Sequence, residues 1–193
     1  MTLATAEFSI DSPSPQALQY ASFWQRFCAS ILDLVVLIPY ILVLLWLGGN
    51  LRLFELYYLV PSIAFGLWYH VHLVKCYGGT PGKLIMGIRI AKVDGSAPGY
   101  REALLRYAVE MVLGFIQSIV TISALMHMSD VEFQSLGFMA RAARINELAP
   151  SWNGALVWVS NFWIWGEFIV MLTNKRRRAP HDFMAGTVVL RKA

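Results

Sequence analysis

The sequence predicts an all-α membrane protein: a four-transmembrane-helix bundle with an external interfacial helix and a short cytoplasmic β pair. Three observations lead there. Of the 193 residues, 57% are hydrophobic and only 15% are charged, against roughly 25% charged in an ordinary soluble domain. The apolar residues gather in four stretches, each near the roughly 20 residues that cross about 30 Å of hydrocarbon. The basic residues fall almost entirely on one side of those stretches. Together these features disfavour a soluble domain, a disordered chain and a disulfide-rich secreted module.

Residues 1–20 read as a short flexible tail, with Pro13 and Pro15 stopping any helix. The tail has no basic n-region and no apolar h-region, so no signal peptide is expected. The transmembrane domain covers residues 21–193. Its first span is expected at 27–48 and acts as an uncleaved anchor. The turn that follows is short, so a second span at 56–74 returns as an antiparallel hairpin. Pro39 and Pro61 each remove a helical hydrogen bond and mark expected interruptions of these spans. Gly78-Gly79 and Pro81-Gly82 then break the helix. Ile88, Ile90 and Val93 suggest a strand closed by an Asp94-Gly95 turn.

A third span is expected at 103–125. The long connection 126–153 contains FQSLGFMARAARINEL, in which Leu136, Met139 or Ala140, and Ala143 recur at helical spacing. This predicts a helix lying on the outer interface. The fourth span is expected at 154–173. The tail from Gly186 to Lys192 is a second strand candidate. Two such strands pairing beneath the bundle are marginal unless they dock on something.

Charge sets the orientation. Arg26, six bases between Lys75 and Arg106, and six more from Lys175 to Lys192 place thirteen of the sixteen basic residues on one side. Only Arg52, Arg141 and Arg144 lie opposite. Cytoplasmic loops carry the basic excess, so both termini are expected in the cytoplasm. The run Lys175 to Arg178 directly follows a span, which favours anionic lipid headgroups over nucleic acid as its contact. The partners expected are therefore the bilayer itself and a second copy or another membrane protein.

GGTPGK invites a phosphate-loop reading, but only three residues separate Gly78 from Gly82 and Leu84 follows Lys83, so the fingerprint fails. His70 and His72 are two apart on a helix and point in different directions, which argues against a metal pair. Cys28 and Cys76 lie near the cytoplasmic face, where thiols stay reduced. No cofactor, no metal ligands and no nucleophile-and-base constellation are recognised, so an enzyme is not expected.

The informative residues are ionisable groups at membrane depth: Asp33, Glu110 and Glu167, with His70 near them. A charge at the bilayer centre costs about 2.5 to 3.5 kcal/mol on insertion scales. At a rise of about 1.5 Å per residue, all three carboxylates come out roughly 6 to 10 Å inside the cytoplasmic ends of their spans. Arg26 precedes Asp33 by two helical turns, and Arg106 precedes Glu110 by the four residues of an intrahelical pair. Two readings follow. The acids form a hydrated cation or proton site with His70, or each acid pairs with its own base and holds helices together.

FWQRFCASILDLVVL, GGTPGKLIMGIRIAKVDGSAPGYREALLRYAVE and RRRAPHDFMAGTVVL, in that order, resemble the RDD family of bacterial membrane proteins. The resemblance runs from about Tyr20 to Lys192 apart from the long external connection. It implies a multi-pass protein of the bacterial inner membrane. It places the family's arginine and two aspartates at Arg26, Asp33 and Asp182. It also implies transport, including cation/proton exchange in some members. From charge and position, Asp182 is expected to pair with Lys83, Arg89 or Arg26, with His181 tuning the contact. Two functions stay open: a small cation/proton transporter or a subunit of one, and a non-transporting membrane scaffold or assembly partner.

Overall fold

The computed structural model describes residues 19–192. Of the tail expected over residues 1–20, residues 1–18 lie outside the described residues. The described residues are largely helical, and among them three helices are long and apolar enough to cross a membrane: α1 (Phe23–Asn50), α5 (Tyr100–Met126) and α8 (Asn153–Thr173). Between α1 and α5 run α2 (Phe54–Leu67), a π turn (Trp68–His72) and α3 (Leu73–Tyr77), with no break in the helical path. The short α4 (Pro81–Ile85) and strand β1 (Ile88–Lys92) precede α5. Helices α6 (Asp130–Ser135) and α7 (Phe138–Leu148) lie between α5 and α8. Helix α9 (Pro180–Ala185) and strand β2 (Thr187–Arg191) follow α8.

The helices carry their apolar side chains outward. Ile31, Leu42, Trp158 and Phe162 are exposed, the last 81%. A soluble protein rarely shows an apolar surface so continuous, whereas hydrocarbon is the solvent that accepts it. Neither proline breaks its helix: α1 continues through Pro39 and α2 through Pro61. The irregularity expected of a proline occurs instead at the π turn, which contains none. Helices of this kind tolerate proline because neighbours re-satisfy the freed carbonyl.

The two ends of α1 define two poles. At its start, Ala21 N–H donates to Val189 O at 2.9 Å. At its finish, Arg141 Nη1 donates to Gly49 O at 2.8 Å. The first pole carries the sheet. Strands β1 and β2 are antiparallel, with Ile90 opposite Val189. The pair is stable because it docks: Ile88, Ile90, Val188 and Val189 are buried, and Ile88, Ile90 and Val189 belong to a core that also holds Ala21, Ala29, Val71, Val74 and Ala103. Gln19 and Tyr20 also pair with the far edge of β2, through Arg191 N–H to Gln19 O at 2.9 Å and a bridge between Tyr20 and Leu190. Gly186 ends α9 in the left-handed region, at φ 63°, which lets β2 turn straight back.

The second pole carries α6 and α7. The single interfacial helix expected over FQSLGFMARAARINEL is two helices, broken at Leu136-Gly137. Phe133 is buried against Leu125 and Met128, with Ile145 and Leu148 packed on the same cluster.

Candidate functional site

The sheet pole gathers nearly all the charged groups that the sequence singles out. At its centre is Asp182, which is fully buried. Arg26 Nη2 donates to its Oδ2 at 2.7 Å, and Arg106 Nη1 donates to its Oδ1. Ala179 N–H donates to Oδ2 at 2.9 Å. The Thr187 hydroxyl accepts from Arg106 at 2.6 Å and faces Asp182 Oδ1 at 3.3 Å. Arg26 Nη1 also donates to Arg177 O at 2.5 Å. Three distant stretches of chain thus meet on one carboxylate. Burial alone would raise the Asp182 carboxyl, but the guanidinium of Arg106 and then that of Arg26 outweigh it and hold it far below the usual aspartate range. From the basic run, Arg178 turns inward, donating to Asp182 O at 2.9 Å and Thr187 O at 3.0 Å, while Lys175, Arg176 and Arg177 stay exposed.

This arrangement corrects both expected intrahelical pairs. Arg26 does not bind Asp33, and Arg106 does not bind Glu110. The reason is local geometry. Side chains on a helix lean toward its N-terminus, and in both α1 and α5 that direction leads to the sheet pole and away from the acid one or two turns later. Of the bases expected for Asp182, Arg26 takes the contact, whereas Lys83 goes to Asp33 and Arg89 is not bound to it.

Asp33 sits in a cradle of donors. Thr80 Oγ1 donates to its Oδ2 at 2.5 Å, while Gly82 N–H at 2.7 Å and Tyr69 Oη at 2.8 Å donate to its Oδ1. Lys83 Nζ lies 3.8 Å from Oδ2. Pro81 opens α4, and the free amides of that turn face an anion, as helix N-termini do. The stretch that fails as a phosphate loop therefore binds a carboxylate of its own chain. Gly82 makes the approach fit: a Cβ there would collide with Ala29 O and lie 2.6 Å from Asp33 N.

Beside these two clusters lies a cavity of about 360 Å³. Asp33, His70, Glu110 and Glu167 all line it, so the four residues expected to form an ion or proton site share one space. They are not equivalent. Asp33 spends its oxygens on the cradle. His70 stacks on Tyr107, ring centroids 4.6 Å apart. Glu110 makes no hydrogen bond or ion pair among the described residues. Glu167 accepts from His181 Nδ1. His181 Nε2 lies 3.0 Å from Arg106 Nη2. Arginine only donates, so Nε2 accepts and the ring proton sits on Nδ1. Burial, followed by the charge of Arg106, lowers the His181 pKa, in keeping with a neutral ring. One ligand atom each from Glu110, Glu167 and His181 lie within 4.8 Å of one another.

Sequence reasoning missed Tyr69, Thr80, Gly82 and Thr187, and read His181 only as a neighbour of Asp182. Thr80-Pro81 is a helix-start signal that could have placed an anion there. The π turn carries Tyr69 to Asp33 and His70 to the cavity wall, and nothing in the sequence announces it. His72 points elsewhere, to Tyr100 Oη at 3.3 Å. Cys28 and Cys76 are both free thiols.

No curated protein matches this chain. A family model does, over residues 20–186. The matched region takes in Arg26, Asp33 and Asp182 together with β1 and the residues that line the cavity, and it ends just before β2. This membrane protein belongs to the RDD family.

Proposed function

We propose that the protein is a small cation/proton exchanger of the bacterial inner membrane, or a subunit of one. In this reading it crosses the bilayer four times, through α1, the run from α2 to α3, α5 and α8. The run from α2 to α3 adds segments of 14, 5 and 5 residues, enough for about 30 Å of hydrocarbon. Both termini and the sheet pole face the cytoplasm, because thirteen of the sixteen bases lie on that side. The exposed Lys175 and Arg176 meet anionic headgroups there. Four spans are few for a complete path, so the working unit is at least a dimer.

One observation carries the reading. Glu110 and Glu167, on separate apolar helices, face a common cavity, and among the described residues no base is bonded to Glu110. An acid left in that position is costly to insert and marks ion or proton pathways. Helix stability alone would favour an apolar side chain at both positions.

The test is flux in proteoliposomes under imposed cation and pH gradients. Wild-type protein moves cations against protons, and Glu110→Gln loses that flux. No flux under any cation gradient would overturn the reading and leave an anchored scaffold, recognisable by a protein that co-purifies with it.

A further inference from the structure

Exchange of an unspecified cation does not use one feature of the cavity wall, the imidazole. Glu110 comes from α5, Glu167 from α8 and His181 from α9, and their ligand atoms lie within 4.8 Å of one another. Two carboxylates alone suit a hard ion such as Mg²⁺ or Na⁺. A nitrogen donor beside them shifts the preference toward softer divalent ions. We propose that Glu110, Glu167 and His181 form a binding site for a divalent first-row transition-metal ion, of the class from Mn²⁺ to Zn²⁺.

The donor set supports this in three respects. First, the side chains arise from three helices that pack against one another, so the triad does not depend on one flexible loop. Second, His181 Nδ1 faces Glu167, so the metal replaces the proton that now lies between the two. The ring proton then moves to Nε2, which gives up the hydrogen bond it accepts from Arg106 Nη2 and turns to Asp182 Oδ1, now 3.7 Å away. A ligating histidine that turns its other nitrogen to a carboxylate is the usual outer arrangement of such sites. Third, three protein ligands leave a coordination position open toward the cavity, which suits an ion that must enter and leave. The same wall serves the proposed exchange, so naming its ion rests on that reading.

Co²⁺ is the probe, added to the full-length protein in detergent and followed by equilibrium dialysis and visible absorption. Wild-type protein binds one Co²⁺ per chain with a visible absorption band, Zn²⁺ displaces it, and excess Mg²⁺ does not. The double variant Glu110→Gln/Glu167→Gln weakens binding by about tenfold or more, with an unchanged elution volume. His181→Gln shifts the band through loss of the nitrogen donor. Equal Co²⁺ binding by wild type and double variant, or displacement by Mg²⁺ as readily as by Zn²⁺, would overturn the site. The two readings fail separately. Monovalent cation flux without Co²⁺ binding removes the metal site and keeps the exchanger. Co²⁺ binding without flux of any cation keeps the site and removes the exchanger.

Discussion

Two acidic clusters lie side by side at the sheet pole, and they are built on opposite terms. Asp182 is buried and receives two guanidinium groups, a backbone amide and a threonine hydroxyl. Glu110 and Glu167 line a cavity, and among the described residues they have one bonded partner between them, His181. A carboxylate whose lone pairs are all used locks helices together. One with capacity to spare is available to an ion. His181 joins the two clusters, since Arg106 binds both it and Asp182. The comparison separates what these charged residues do: Arg26 and Asp182 fasten α9 and β2 onto α1 and α5, and Asp33 fastens α4.

The largest effect is expected at the lock. Asp182→Asn leaves two buried guanidinium groups short of a counter-charge, and breaking a buried pair typically costs about 3–5 kcal/mol. Loss of monodisperse protein on size exclusion and a steep fall in melting temperature would register it. Acid gives the same result by another route. The folded Asp182 carboxyl lies below its ordinary 3.8, so its contribution is complete above that pH and declines only as the pH falls further. A melting temperature that falls instead between pH 8 and 6 would contradict this assignment.

A smaller loss is expected at the cradle. Gly82→Ala forces α4 off α1, because the new methyl meets backbone rather than a movable side-chain tip. Overpacking of this kind costs about 1–3 kcal/mol, readable in the same melting experiment. Unchanged stability would mean that α4 docks more loosely than the 2.7 Å bond from Gly82 to Asp33 implies. At the opposite pole, Arg52 and Asp130 pair at 2.6 Å, but Asp130 is largely exposed. Asp130→Asn should cost roughly 0.2–1 kcal/mol, and a loss comparable to that at Asp182 would erase the distinction between buried lock and surface pair.

Much of the framework was legible in the sequence. The apolar runs at 27–48, 103–125 and 154–173 fall within α1, α5 and α8 give or take a residue, and the strands at Ile88 and in the tail pair as read. Hydrophobic length and alternation are local signals, so they survive without knowledge of the fold. Pairing of charges is not local. Arg26 meets Asp182 across 156 residues and Arg106 meets it across 76, and spacing along a helix cannot anticipate such partners. The rules that paired Arg26 with Asp33 and Arg106 with Glu110 describe isolated helices. They lost to a third segment that offered both arginines a dry carboxylate. The same limit hid the meeting of Glu110, Glu167 and His181, which come together only when α5, α8 and α9 pack. The π turn at Trp68–His72 escaped for a different reason: the prolines drew the expected irregularity to Pro39 and Pro61.

The division between lock and working wall is tested most directly by measuring thermal stability and cation flux together in the Glu110→Gln/Glu167→Gln double variant. Neutralising two under-partnered carboxylates relieves desolvation, so the melting temperature is expected to hold or rise while flux disappears. A fall in stability like that of Asp182→Asn, with flux retained by the protein that remains folded, would show that these acids are structural and that the wall does no work.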